Sequence, residues 1–337
     1  GRPWEGFKKR IQIPRGWLDV YAEGVAAGLV VRFVGIYQHG DVCIFVDFDP
    51  VTYVTRKANN SAAHVATNDL YQAQTLGVFA REDSRRNHLT SVRHDLFERH
   101  LLGTIPQHRH ARLDVFRTFN SEFLTGGRIE ALDAVQEMYR ADWPDTFQGE
   151  WPGFYLEHRL ADFVERRDLR DIVELQKVKY GGGYDYDLAF KVGGDVAYYG
   201  DLKSSDVRAA VSPGNDAEDI RRCVSEYGRF WYVIYEHRTW HARDLGDQPT
   251  IAWNEWKRSV GYDNGKPYNP LSYARRFKAA VLYSRMKILE VNPANIRVVL
   301  TDFRQGKQPD GAARALKVMI SKKNVDNFVV LSESLEV

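Results

Sequence analysis

The sequence predicts an α/β protein with a mixed central β-sheet flanked by helices and an additional N-terminal α+β region. Two observations lead to this fold class. Residues 154–236 change between helical and strand patterns in the order helix, three strands, helix, strand. Residues 29–55 contain two apolar runs around Gln38-His39-Gly40-Asp41, a turn sequence typical of a β-hairpin.

The composition is that of an ordinary globular chain. Its 337 residues are 44% hydrophobic and 27% charged, which provides enough apolar side chains for a sizeable core. No apolar run reaches the roughly 18 residues of a membrane span. Cys43 and Cys223 lie far apart and outside any metal-binding spacing, which favours a reducing, cytoplasmic compartment.

The segment 140–153 is dense in Pro, Gly and Trp, so we place a domain boundary there and divide the chain into residues 1–140 and 141–337. Before this boundary, the charged stretch 81–118 is interpreted as a solvated helical surface rather than a nucleic-acid contact face. After it, the patterns predict a helix from Phe154, strands at 172–180 and 230–235, helices at 217–227 and 271–289, and strands at 296–303, 316–320 and 327–331.

Two alternating segments, 184–192 and 196–203, predict a pair of antiparallel strands. A three-residue loop, Gly193-Gly194-Asp195, would pair Phe190 with Tyr198 and keep both apolar faces on one side. A two-residue turn would shift every side chain to the wrong face, so we predict the longer loop.

In that register Asp187 lies opposite Asp201, and Asp185 lies opposite Lys203. Cross-strand β-carbons on one face are only about 5 Å apart, so two aspartates there repel each other unless a cation lies between them. A hard divalent cation such as Mg²⁺ accepts one or two carboxylates and completes its shell with water and phosphate oxygens. The alternative is a surface ion pair between these strands.

The pattern Asp187 … Asp201-Leu202-Lys203 resembles the active-site motif of the PD-(D/E)XK nuclease superfamily, and the layout resembles a type II restriction endonuclease. The resemblance covers residues 154–236. Tyr186 stands where the motif has a proline that many members lack. The resemblance implies that Asp187 and Asp201 bind the metal and that Lys203 orients or activates water. Glu157 matches the helical acid that many members place beside the metal.

The function implied by this resemblance is Mg²⁺-dependent cleavage of double-stranded DNA at a specific sequence, leaving 5′-phosphates, with Mn²⁺ as a substitute. A homodimer would let two active sites cut two strands. Residues 1–140 would then serve DNA recognition or dimerisation, and residues 141–337 catalysis. The alternatives are a structure-specific or repair nuclease of the same superfamily, and a DNA-binding protein without catalysis. The sequence leaves the role of Asp185 open.

A basic segment supports DNA as the partner. Residues 256–287 contain eight Lys or Arg against one acid, which is typical of a phosphate-contacting surface or of a solvated helix face. The candidate DNA contacts are Arg275, Arg276 and Lys278 in this segment, and Ser204, Ser205, Arg208, Ser212 and Asn215 after the catalytic motif. For the latter group, a flexible polar connection is the alternative.

Overall fold

A computed structural model of the chain describes residues 4, 8–13, 16–54, 62–82, 87–104, 111–123, 127–176, 186–262, 277–303, 316–325 and 328–335. The chain forms two compact units. The first comprises Gly1–His108, Asn292–Val299 and Asp326–Phe328. The second comprises Arg109–Val291, Leu300–Val325 and Val329–Val337.

Helices and strands alternate through most of the described chain. Up to residue 140 they are β1 (Lys8–Gln12), α1 (Trp17–Ala26), β2 (Phe33–His39), β3 (Val42–Phe48), α2 (Pro50–Val54), β4 (Ala62–Ala66), α3 (Thr67–Leu76), β5 (Val78–Glu82), β6 (His88–Arg93), α4 (Phe97–Leu101), α5 (Ala111–Phe123), β7 (Ile129–Glu130) and α6 (Ala131–Arg140). Beyond it they are α7 (Trp151–Arg166), β8 (Val173–Leu175), β9 (Leu188–Val192), β10 (Asp195–Asp206), β11 (Val211–Asp216), α8 (Ala217–Tyr227), β12 (Phe230–His241), α9 (Ala242–Leu245), α10 (Gln248–Ser259), β13 (Lys278–Val291), α11 (Ile296–Val299), β14 (Leu300–Phe303), β15 (Lys317–Ser321), α12 (Lys322–Val325) and β16 (Val329–Ser334).

The first unit contains a four-stranded antiparallel sheet in the order β2-β3-β6-β5 and a separate β1-β4 pair. The predicted hairpin is confirmed: β2 and β3 pair from Phe33 opposite Phe48 to His39 opposite Val42. Alternate side chains of these strands are buried, because one face of the sheet covers the core. The interpretation of 81–118 as a helical surface is wrong for β6, a partly buried strand, whereas α4 and α5 are helical.

The second unit contains the mixed central sheet flanked by helices that the sequence predicts. Its strand order is β16-β13-β12-β10-β9-β8, and β7 also pairs with β13. The β10–β12 pair is parallel, whereas the other neighbours are antiparallel. A three-stranded sheet, β11-β15-β14, accompanies it. The link from β10 to β12 runs through β11 and α8, so the predicted order of helix, three strands, helix and strand is interrupted by one extra strand.

The hydrophobic core of the second unit lies on one face of the central sheet. Leu156 and Leu160 of α7 are fully buried in the same cluster as Phe190, Tyr198 and Leu202 of the β9–β10 hairpin. Apolar burial of this kind contributes roughly 1.5–3 kcal/mol for each large side chain. The opposite face of β10 carries alternate residues, including Asp201 and Lys203, and lies toward β11 and α8. The core therefore fixes the hairpin, and the polar residues lie on its other side.

The predicted helix at 271–289 is wrong in its described part, because residues 278–291 form β13. This strand lies between β12 and β16 with both faces largely covered, so apolar residues occupy both of its faces without the alternation of a half-exposed strand. Such patterns do not distinguish a buried strand from a buried helix by periodicity. Residues 296–303 divide between α11 and β14, whereas the strands predicted near 316–320 and 327–331 are present as β15 and β16.

The breaker-rich segment 140–153 connects two helices of the same unit. The α6 and α7 helices pack together, and Glu137 of α6 accepts hydrogen bonds from Tyr155 Oη at 2.7 Å and Arg159 Nη1 at 2.8 Å. Residues 109–140 therefore lie in the second unit, whereas the sequence analysis assigned them to the N-terminal region. No helix among the described residues is both long and apolar enough to cross a membrane.

Candidate metal centre

The β9–β10 hairpin that carries the site turns through two residues. Gly193 and Gly194 have φ angles of 60° and 90°, and Asp195 pairs directly with Val192. Two successive positive φ angles are the requirement of a tight type I′ hairpin turn, which glycine meets without strain. The predicted three-residue loop is therefore wrong.

A β-bulge nevertheless gives the same register that was predicted from the longer loop. The pairing shifts by one residue between Val196 and Tyr198, so that Tyr198 pairs with Phe190 as predicted. One extra residue in one strand reverses the slip that the two-residue turn introduces. The ladder then continues to Gly200 opposite Leu188, which makes Asp187 and Asp201 the next opposed positions.

The structure brings Asp187 and Asp201 into direct interaction. Asp187 stands immediately before β9, and its Oδ2 accepts a hydrogen bond from the backbone N–H of Leu202 at 3.2 Å. Burial raises the pKa of Asp187 strongly, and the charge of Asp201 raises it further. Asp187 is therefore the member of the pair that holds a proton at neutral pH in the absence of a cation.

Asp201 is the ionised member. Its side chain is only 1% exposed, and it forms an ion pair with Lys203, two residues along the same face of β10. Burial opposes its ionisation, but the charge of Lys203 and hydrogen bonds from Asp187 and Asn215 hold its pKa below the usual value. For Lys203, burial acts to lower the pKa, yet the charges of Asp201 and Asp187 outweigh burial and raise it.

Glu157 lies on α7, which packs against β10. Its side chain is buried, and its negative charge contributes to raising the pKa values of both Asp187 and Lys203. Gly153 lies one helical turn earlier, where a β-carbon would lie 4.0 Å from Ser204 Cβ of β10. Glu157 therefore lies within electrostatic range of Asp187 and Lys203, two of the residues with which the sequence analysis grouped it.

Asn215 is part of the site, in a role that sequence analysis missed. It lies on β11, and its Nδ2 donates a hydrogen bond to Asp201 Oδ1 at 3.2 Å, while its backbone N–H donates to Tyr232 Oη at 3.3 Å. Gly214 allows this approach, because a β-carbon there would lie 2.7 Å from Tyr232 Oη. The sequence analysis named Asn215 as a candidate DNA contact or part of a polar connection, since no local pattern indicates which aspartate a distant amide will meet.

The predicted DNA contacts after the motif do not form one exposed surface. Ser205 is buried on β10, and Ser204 is half-buried against α7. Arg208 is exposed, but its guanidinium donates two hydrogen bonds to Asp206, at 3.0 and 2.9 Å. Ser212 is buried on β11. Among these four described candidates, only Arg208 exposes a charged side chain to solvent.

Three of the five described cations of the basic segment face acids from outside it. Lys278 forms an ion pair with Glu150, at the turn before α7. Arg285 and Lys287 both lie near Glu236 of β12, with Nε–Oε2 and Nζ–Oε2 distances of 3.0 and 3.7 Å. Counting acids within the segment overlooked these partners, because the neighbouring strand supplies Glu236. Arg275 and Arg276, as well as Asp185, lie outside the described residues.

The second unit is thus an α/β domain in which the described residues include two adjoining aspartates, Asp201 buried and Asp187 partly buried, beside Lys203 on one sheet face. In the described part of the chain, no group of three or more His, Cys, Asp or Glu side chains is arranged to hold a metal. The candidate metal centre therefore offers the carboxylates of Asp187 and Asp201. That set fits Mg²⁺, which commonly takes one or two protein carboxylates and completes its shell with water and substrate phosphate.

Comparison with known proteins adds one finding for the first unit. Residues 1–101 match a family model described as methylase-associated X1, which covers less than a third of the chain. This association with methylases fits a restriction–modification context. No curated protein and no solved structure matches the chain significantly.

Proposed function

We propose that this protein is a Mg²⁺-dependent type II restriction endonuclease that hydrolyses double-stranded DNA at a specific sequence and leaves 5′-phosphates. The observation that carries the proposal is the opposition of Asp187 and Asp201 beside Lys203 on one sheet face. The methylase-associated match of residues 1–101 supports a restriction–modification setting. The proposed reaction adds water to phosphorus and breaks the P–O3′ bond.

The donor set suits a divalent cation because negative charge is in excess. Asp187 and Asp201 share one nearby lysine, and burial with mutual repulsion raises the pKa of Asp187. A divalent cation held by both carboxylates would displace the proton of Asp187 and remove this repulsion. We propose Glu157 as a nearby charge rather than a ligand, because it acts on the pKa of Asp187 but belongs to no group of three acids arranged to hold a metal among the described residues.

Each residue then has a defined task. Mg²⁺, when bound, supplies a lowered water pKa and charge stabilisation at the phosphate. Asp187 and Asp201 hold it through their carboxylates, and Asn215 orients Asp201. Lys203 donates hydrogen bonds to the attacking water or to a non-bridging phosphate oxygen and stabilises the negative charge that develops there.

The direct test is the Asp201→Ala variant, incubated with phage DNA and Mg²⁺. We expect cleavage into discrete bands by the wild type and none by the variant, with DNA binding in Ca²⁺ largely retained. Asp195→Ala is the matched control, because Asp195 is an exposed acid in the same hairpin and should cut normally. Normal cleavage by Asp201→Ala would contradict the site assignment.

The same assay separates the alternatives. Cleavage confined to branched or damaged DNA would indicate a structure-specific or repair nuclease. DNA binding by wild type without cleavage in either Mg²⁺ or Mn²⁺ would indicate a non-catalytic DNA-binding protein. We also propose a homodimer, because two active sites could then cut the two strands at one site. Light scattering of the protein, alone and with cleavable DNA in Ca²⁺, tests that proposal.

A further inference from the structure

A second site lies where α6 and α7 are connected, in a cavity of about 310 Å³. None of its lining residues belongs to the candidate metal centre. They are Tyr139, Asp142, Trp143, Asp145, Thr146, Phe147, Gln148 and Tyr262. The volume is within the range of small-molecule pockets, which is roughly 300–1,000 Å³.

Four aromatic side chains line the cavity, and three of their rings also pack against one another. Tyr139 lies at 60° to Phe147, with ring centroids 5.9 Å apart. Phe147 and Tyr262 stack in direct contact, at 4.1 Å and 14°. A flat nucleobase therefore cannot insert between that parallel pair. A rounded ligand that rests against the four aromatic side chains does not need such a gap.

The polar lining is acidic. Asp142 and Asp145 are both exposed, and none of the described residues that line the cavity is cationic. Both aspartates have left-handed backbones, with φ angles of 52° and 61°, which aspartate tolerates better than most residues. Backbone hydrogen bonds flank the two aspartates: Asp142 N–H donates to Tyr139 O at 3.1 Å, and Gln148 N–H donates to Asp145 O at 3.0 Å. Two carboxylates repel phosphate groups and attract cations.

The same aromatic cluster already contacts one cation of the chain. Lys257, which is not among the residues lining the cavity, has its Nζ 5.8 Å from the ring centre of Tyr262 and 5.4 Å from that of Trp253. Electron-rich ring faces attract cations, most strongly weakly hydrated ones. We propose that the cavity binds an organic cation, an alkylated ammonium or a guanidinium group, between the aromatic walls and the two aspartates.

Choline is the probe for this proposal, and 3,3-dimethylbutan-1-ol is its neutral isostere. Binding to the full chain is measured by calorimetry and by the fluorescence of the tryptophans near the cavity. We expect saturable choline binding at least about tenfold tighter than binding of the isostere. N-methylguanidinium is the second probe and should compete with choline.

Two variants and one control locate the site. Tyr139→Leu removes a wall whose side chain is 43% exposed, so the fold should persist, and Asp142→Asn removes one charge. Each should weaken choline binding about tenfold, whereas Asp133→Asn, an exposed acid on the same helix outside the cavity, should not. Unfolding curves check that each variant is folded.

Several results would overturn the inference. Equal binding of choline and the isostere would show a merely apolar cavity, and tighter binding of deoxynucleosides would show a base pocket. Absence of binding by both cations, or full binding by both cavity variants, would show no cation site here. Each outcome is independent of the proposed nuclease activity, because DNA cleavage is not a readout.

Discussion

Replacing Lys203 with Met isolates the contribution of the cation that pairs with Asp201 beside Asp187. Methionine keeps much of the aliphatic volume but removes the charge. Asp201 is 1% exposed and Lys203 is 24% exposed, so the change leaves a buried carboxylate without its ion-pair partner. Breaking a buried pair in this way costs about 3–5 kcal/mol. We expect a cost near the lower end of this range, because the neighbouring carboxyl of Asp187 can donate a hydrogen bond to Asp201.

Lys278→Met provides a matched control for stability. Lys278 is 21% exposed, close to Lys203, but its partner Glu150 is 78% exposed. A pair with so exposed a partner contributes only about 0–1 kcal/mol. Urea unfolding with EDTA present, followed by tryptophan fluorescence, measures both variants. In Mg²⁺, single-turnover DNA cleavage by Lys203→Met should be at least about a hundredfold slower.

The double variant Asp201→Asn/Lys203→Met completes the test. If the ion pair forms in the folded protein, removing both charges should cost less than the sum of the two single changes. Strict additivity, or a Lys203→Met variant no less stable than Lys278→Met, would refute the buried pair. A wild-type rate of DNA cleavage by Lys203→Met would refute the proposal that Lys203 binds the attacking water or a phosphate oxygen.

Three further predictions follow. Burial lowers the pKa of His237 from 6.5 to about 4, so the unfolded chain binds a proton there before the folded chain does. The free energy of unfolding should therefore fall by about 3 kcal/mol as the pH is lowered from 6.5 to 4. Urea titrations should show a flatter pH dependence for His237→Gln. Gly194→Ala should lower the unfolding free energy by about 1 kcal/mol, because φ is 90° there, and an unchanged value would argue against the tight turn. Lys278→Ala should leave the salt dependence of DNA binding unchanged, since Glu150 already pairs with it, whereas Arg275→Ala/Arg276→Ala should flatten the slope by about one unit per lost phosphate contact.

The hairpin shows how far a local pattern can predict a site. Alternation correctly paired Phe190 with Tyr198 and thereby opposed Asp187 to Asp201. The same reasoning chose the wrong loop, because it treated turn length and register as rigidly linked. The β-bulge changes the register without changing the turn length, and nothing in the local sequence predicts this bulge.

Charge was harder to assign than secondary structure. The basic segment was judged by the acids within it, but Glu150 and Glu236 come from elsewhere in the second unit. The helix predicted at 271–289 failed for a similar reason. An apolar run becomes a strand when two neighbouring strands are available to pair with it, and that depends on the whole sheet.

The sequence by itself determined the α/β class, the β2–β3 hairpin, α7, α8 and the short list containing Asp187, Asp201, Lys203 and Glu157. The elements and the pairing of Asp187 with Asp201 follow from periodicity and turn chemistry, which are local properties of the chain, whereas Lys203 and Glu157 join the list through the resemblance to the nuclease motif. Only the tertiary structure decided which acid keeps its proton, because burial and the position of Lys203 set the two pKa values apart. It also decided that Asn215 orients Asp201, because β11 returns to that face of β10 only when the chain has folded.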